Sequence, residues 1–391
     1  MRAKGISPQA STPGRRRLLR AGLILGSSLL TTVLIWAGMT VYSRALGIRD
    51  PLFIHEGELP MFHPDPIAGY RNAPNLSLHA FGTIRLETNE RGFRGRREVR
   101  MDKPPGVRRL IGTGDSVMWG AGIQEEETFL FRLGEKMKAG GSWEVINAGI
   151  IGHSTLQEWL VLERDLLPLK PDLVVINYCE NDFVPTEDPF NNVARIHARY
   201  FESLLLDPSG EFDALQKEHL WVLIGIFSSP RPRTNLETAD AAVRATAVDV
   251  LQARPMRRMA RAAKASGARF IYVFIPPQEK ESWDFQLVRR WQALLIEEGA
   301  EWLDVTALFT PPDPLPPVYE KKPGWEPPWR VRLLDNILLQ RRIEAVQERN
   351  LYIDPHHPSR RGNEIIADQL HRFLAGQPLA EGVLFHRLQV P

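Results

Sequence analysis

A serine hydroxyl becomes a useful nucleophile only beside a base that takes its proton, and the sequence holds both parts far apart along the chain. Ser116 sits in Gly114-Asp115-Ser116, after the apolar run RRLIGT (108–113) and before Gly120-x-Gly122. A serine at the carboxyl end of a parallel strand, just ahead of a helix, occupies the place where open α/β sheets hold their ligands, and the helix N-terminus favours developing negative charge. Near the other end, Leu351-Tyr-Ile leads into Asp354-Pro-His-His357-Pro-Ser359. An aspartate three residues before a histidine, in a turn stiffened by two prolines, can meet the imidazole at Nδ1 and leave Nε2 for the serine proton. His356 is too close to Asp354 for that turn. The expected base is therefore His357, with His356 a solvated loop residue or a neighbour of the acyl group. Ser359 is expected to cap the helix that follows.

Acyl transfer also needs donors aimed at the oxyanion of a tetrahedral intermediate. After WEVINA comes Gly149-Ile-Ile-Gly152-His153-Ser154, and after DLVVINY comes Cys179-Glu180-Asn181-Asp182. The Gly152 amide and the Asn181 side chain could join the Ser116 amide as donors. Each piece has a bland reading: a capped strand-to-loop turn for Gly-Asp-Ser, a helix-entry turn for Gly152, a loop cap for Asn181. The order along the chain outweighs them, because all four loops follow strands and would converge on one sheet edge. Asp354, His356 and His357 would also suit a metal but lack a fourth ligand, so no metal or cofactor is expected. Cys179, the single cysteine, is expected to pack at its strand end and excludes an intramolecular disulfide.

These loops need a parallel sheet to hold them. Strands are expected at 108–113, 143–148, 172–178, 269–275 and 301–305, with helical patterns near 126–139, 154–167, 239–266, 279–298 and 359–375. The alternation predicts a three-layer α/β/α sandwich with a five-stranded parallel sheet over 107–375, followed by a tail at 376–391. Residues 43–106 read as a connector and a small β-rich extension. Two stretches, 183–238 and 310–350, interrupt the rhythm as insertions; the first contains a predicted hairpin around Asp207-Pro-Ser-Gly210.

Gly114-Asp115-Ser116, Asn147-Ala-Gly-x-x-Gly152, Asn181-Asp182 and Asp354-x-x-His357 together resemble the four blocks of the SGNH/GDSL hydrolase family. The resemblance implies a flavodoxin-like fold, Ser116 as nucleophile, Gly152 and Asn181 in the oxyanion hole with Ser116, and His357 with Asp354 as the base and its partner. DPIAGYR and TNERGFRG, ahead of the serine, are similar to the leader of bacterial membrane-attached members. The third block departs from the common Gly-x-Asn-Asp, since Cys179-Glu180 precedes Asn181 here.

Six arginines and lysines (Arg2, Lys4, Arg15, Arg16, Arg17 and Arg20) precede the uncharged stretch 21–42, which as a helix would reach roughly 33 Å. The positive-inside bias predicts a basic cytoplasmic tail at 1–20, a single transmembrane helix and an extracytoplasmic body; the resemblance to bacterial members implies that the membrane is a bacterial inner membrane. Export after signal cleavage is the alternative, since Arg15 and Arg16 also read as a twin-arginine pair. Without the six basic residues, 43 Lys and Arg face 47 Asp and Glu, and a slightly acidic body argues against nucleic acid. The expected partner is an ester-bearing substrate, such as an acylated envelope glycan or lipid. Trp119, Trp221, Trp325 and Trp329 could stack on sugars or pack in loops. An O-acyltransferase with the same catalytic set, and a non-catalytic glycan-binding or assembly protein, are the alternative functions.

Overall fold

The computed structural model describes residues 26–35, 37, 61–80, 84–183, 192–209, 211–229, 231–278, 283–309, 350–353 and 356–388. The chain divides into two compact units, Met1–Phe53 and Ile54–Pro391. In the first, residues 26–35 are helical and exposed, while most of the remaining expected span 21–42 lies outside the described residues. Among the described residues no helix is long and apolar enough to cross a membrane.

The second unit is built on strands whose residues are apolar on both faces, as a sheet covered on both sides requires. β5 (Arg108–Thr113), β6 (Trp143–Asn147), β7 (Leu173–Tyr178), β8 (Arg269–Phe274) and β9 (Glu301–Asp304) run parallel, and all six residues of β7 are buried. The spatial order β6-β5-β7-β8-β9 places the first of these strands between its two successors. That reversal is the topological switch point of a doubly wound sheet, and the loop after β5 opens there.

Alternate strand residues feed two cores. Ile111, Val174, Ile176, Tyr272 and Phe274 pack with helices α3 (Thr155–Val161), α8 (Arg254–Ala265) and α9 (Phe285–Glu297). Leu110, Leu173, Val175, Ile271 and Val273 pack with α2 (Phe129–Met137) and α10 (Arg360–Leu374) on the other face. The helices fall within a few residues of the sequence expectation. Two one-turn π segments, Leu162–Leu166 and Asp249–Ala253, extend α3 and join α7 (Ala241–Val248) to α8.

The sheet differs from expectation at its edge. A sixth strand, β10 (Leu384–His386), pairs antiparallel with β9, so the sheet is mixed and not a five-stranded parallel one. Three half-exposed residues after Gly382 are too few to show a period of two.

The hairpin around Asp207 is also corrected, because two helices flank the turn: α4 (Val193–Leu205) and α5 (Ala214–Phe227). Val193, Ile196, Phe201 and Leu204 are buried at helical spacing, which outweighs the turn signal of Asp-Pro-Ser-Gly. With α6 (Pro232–Glu237) and α7 these helices enclose a third core around Phe201, Leu220, Leu223 and Phe227, which reaches α3 at Leu156. The insertion 310–350 lies outside the described residues except for Asn350.

Ahead of the sheet, β1 (Phe62–Asp65) pairs with β2 (Gly69–Asn72), and β3 (Ser77–Ala80) with β4 (Ile84–Glu87), both antiparallel. This β-rich extension bears directly on the loops beside Ser116.

Candidate active site

β5 ends at Thr113, and the chain turns through Gly114 and Asp115 into the four-residue helix α1 (Ser116–Trp119). Two contacts fix that turn. A Cβ on Gly114 would sit 2.1 Å from Asn177 Oδ1, so only glycine allows β7 this close. Asp115, fully buried, accepts from the Val117 amide at 2.9 Å and from Asn177 Nδ2 at 2.9 Å. Its carboxylate thus caps α1 and ties the turn at Ser116 to the neighbouring strand.

Ser116 lies 6% exposed at the start of α1, and its Oγ is 2.8 Å from His357 Nε2. Asp115 Oδ2 is a second neighbour of Oγ at 3.3 Å. A hydroxyl has one proton to give, and the shorter partner is the imidazole. That donation requires a neutral ring with its own proton on Nδ1, the arrangement in which Nε2 can accept the serine proton.

The histidine arrives on a narrow loop. Tyr352 and Pro358 form an isolated antiparallel bridge, the Ile353 amide donates to His357 O at 2.9 Å, and the Ser359 amide donates to Leu351 O at 2.8 Å. Ser359 caps α10, accepting from the Gly362 amide at 3.2 Å, as expected. Asn363 then fastens the loop to the sandwich: Nδ2 donates to Pro358 O and Ser359 O at 3.0 Å each, and Oδ1 accepts from the Phe129 amide at 2.8 Å. His356 is exposed, with its ring 6.4 Å from that of His357. Asp354 lies outside the described residues, as do the next residue and the side chain of Asn181.

The loop after β6 passes close under α1. A Cβ on Gly149 would meet the Trp119 amide nitrogen at 2.5 Å and Met118 C at 2.9 Å, both backbone atoms. Gly152 is buried with φ 79°, a conformation that favours glycine. Among the described residues no hydrogen-bond acceptor faces the Gly152 or Ser116 amide. After β7, the chain turns through a 3-10 segment, Glu180–Phe183, held by Asp182 Oδ2 accepting from the Cys179 amide at 2.8 Å. Cys179 is buried in the core, as expected.

The β-rich extension clasps this edge. Tyr70 Oη donates to Ile151 O at 2.8 Å, Asn72 Nδ2 to Gly149 O at 3.0 Å, and Gln157 Nε2 to Ala68 O at 2.7 Å. His153 Nε2 meets Tyr70 O at 3.1 Å; burial pushes this imidazole down to about 4, so near neutrality it is an uncharged donor to that carbonyl. Arg94, 5% exposed, donates to Gly120 O at 2.7 Å, to Ile123 O at 2.5 Å and to Trp119 O. Burial lowers its guanidinium to about 10, which still leaves it charged at pH 7. Trp119 is wholly buried beneath Arg94 at 5.2 Å, which removes it as a sugar-stacking surface. Trp221 is exposed, while Trp325 and Trp329 lie outside the described residues.

Sequence reasoning missed Asn177, Arg94, His153 and Asn363 as parts of this edge. Asn177 had a signal, being a polar residue inside the apolar run LVVINY. Arg94 had none, since nothing local distinguishes it from the arginines around it. Glu158 was also missed. It is buried, neither carboxylate oxygen has a described partner, and burial together with the negative Asp115 holds it well above the usual carboxylate range. Among the described residues no group of three or more His, Cys, Asp and Glu is placed to hold a metal. A cavity of about 430 Å³ beside Trp159, Tyr200 and Arg258 is lined by neither Ser116 nor His357.

A serine and a histidine lie in hydrogen-bond reach at the switch point, the pairing that nucleophilic acyl transfer uses. The sequence pattern of the GDSL-like Lipase/Acylhydrolase family matches residues 113–365, which spans every one of these loops. The chain belongs to that family. It is an SGNH-type hydrolase acting on ester bonds, with the family's α/β fold. Solved structures similar to it include TesA (17% identity, 60% of this chain and 97% of the other, TM-score 0.32) and Axe2, an acetylxylan esterase from Geobacillus stearothermophilus (14%, 70% and 97%, TM-score 0.38). A third is LAE5, an alpha/beta hydrolase from the metagenome of Lake Arreo, Spain (13%, 70% and 96%, TM-score 0.34). Likeness this distant says nothing about substrate. No curated protein matches the chain.

Proposed function

We propose that the protein is a membrane-anchored serine esterase that removes short acyl groups, acetyl among them, from an envelope glycan or lipid outside the inner membrane. Ser116 Oγ attacks the ester carbonyl as His357 Nε2 takes its proton, with Asp354 holding the imidazole in the right tautomer. The amides of Ser116 and Gly152 and the side chain of Asn181 receive the oxyanion. Collapse expels the alcohol, protonated by His357, and water then releases the acid from the acyl-serine.

The observation that carries this reading is the 2.8 Å contact between Ser116 Oγ and His357 Nε2, formed by residues 241 apart in sequence. The anchor is supported by the uncharged stretch 21–42 behind a basic tail. Hydrolysis of an aryl acetate by the purified full chain tests the catalytic part. Ser116→Ala is expected to lower kcat/KM by about a hundredfold or more, given what a nucleophile contributes. A smaller loss removes Ser116 from the mechanism.

A further inference from the structure

The outward face of α5 differs from those of its neighbours. The exposed positions of α4 include Arg195, Arg199 and Glu202, and those of α8 include Arg258, Arg261 and Lys264, the charged faces that solvent demands. On α5 the exposed positions are Ala214, Leu215, Glu218, Trp221, Val222 and Gly225, a single stripe carrying one charge. Leu215 is 58% exposed, Trp221 64% and Val222 47%; Leu206, across the short turn from α4, is 81% exposed. The buried side of the same helix, Leu220, Leu223, Ile226 and Phe227, already supplies the third core. The outer stripe is therefore surplus to folding.

We propose that this stripe rests in the interfacial layer of the lipid bilayer that carries the protein, with Trp221 as its central anchor. The proposal builds on the membrane anchor argued above. Between Tyr42, the end of the apolar stretch, and Phe62, the start of β1, lie 19 residues, which fully extended reach about 65 Å. A folded unit tethered this closely meets the bilayer at high effective concentration. Tryptophan flanked by leucine and valine is the composition that settles at the headgroup boundary. A second copy of the chain fits less well, since four side chains expose on the order of 500 Å², short of the roughly 800 Å² per partner of a standard interface. Between residues 193 and 248, acidic side chains outnumber basic ones by seven to six, so the contact is apolar and insensitive to salt.

The test uses the full chain reconstituted in phosphatidylcholine vesicles. Cys179 is buried, so a fluorophore can be placed on the stripe at Leu215→Cys, with Trp221 kept, or, as a control, at exposed Lys138→Cys. Vesicles doped with a doxyl-labelled lipid are expected to quench position 215 about twofold or more beyond position 138, at low and high salt alike, because an interfacial helix buries its apolar face about 5–10 Å deep. Equal quenching at the two positions would overturn the proposal. Protection of position 215 from aqueous iodide without lipid quenching would also overturn it, pointing to a protein neighbour. Alkaline carbonate extraction reads the anchor separately: release of the chain refutes the anchor, while quenching at 215 before extraction still upholds the docking.

Discussion

The edge around Ser116 and the helices between residues 193 and 248, most of them in the 183–238 insertion, are held together by opposite means. At the Ser116 edge, buried polar groups fix backbone to backbone: Arg94 on three carbonyls, Asp115 on Asn177 and the Val117 amide, Asn72 and Tyr70 on the loop after β6. In the insertion, Phe201, Leu220, Leu223 and Phe227 form an apolar core between helices. Polar clamps set positions to a fraction of an ångström, which acyl transfer requires. Apolar helix packing fixes a surface more loosely than such clamps fix single atoms.

Gly149→Ala should expose the difference most strongly. A methyl there meets two backbone atoms of α1 within 3 Å, so the loop bearing Gly152 must move away from Ser116. Displacement on the order of 1 Å costs about a hundredfold in activity. Aryl acetate turnover is expected to fall by about that factor, and an unchanged rate would show that the close approach is dispensable.

Clamp and surface can then be set against each other. Arg94→Met leaves the carbonyls of Trp119, Gly120 and Ile123 without their donor, and should cost about 2–4 kcal/mol of stability in urea unfolding, with a loss of activity. Trp221→Ser, on the exposed stripe of α5, should change stability by less than about 0.5 kcal/mol and leave aryl acetate turnover intact. Equal effects at the two sites would dissolve the contrast.

Acid should loosen the edge selectively. His153 has a folded value near 4 against 6.5 for an ordinary histidine, so above pH 6.5 it is neutral in both states and contributes no pH dependence. As pH falls from about 6.5 to about 4 the unfolded chain binds the proton first, and stability is lost by an amount on the order of 2–3 kcal/mol. Unfolding measured at pH 6.5 and 4.5 should show this slope in the native chain and a shallower one in His153→Gln.

The same contrast explains what the sequence could tell. The parallel strands were legible because apolar runs such as LVVINY leave little else for those residues to do, and the paired loops were legible because their chemistry is written in short local motifs. β10 was not, being three residues long at an exposed edge. The turn at Asp207 read as a hairpin until helical spacing on both sides decided otherwise. Arg94 and Asn363 were invisible because their importance lies in carbonyls and amides remote in sequence, and one chain carries no mark of such pairings.

Stoichiometric labelling with a fluorophosphonate, mapped by mass spectrometry, tests the central claim most directly. One phosphonyl group per chain is expected, on Ser116, lost in Ser116→Ala and added at least about a hundredfold more slowly in His357→Ala, since the hydroxyl is weak without its base. Well-folded protein that takes no label, or takes it at another serine, would contradict it.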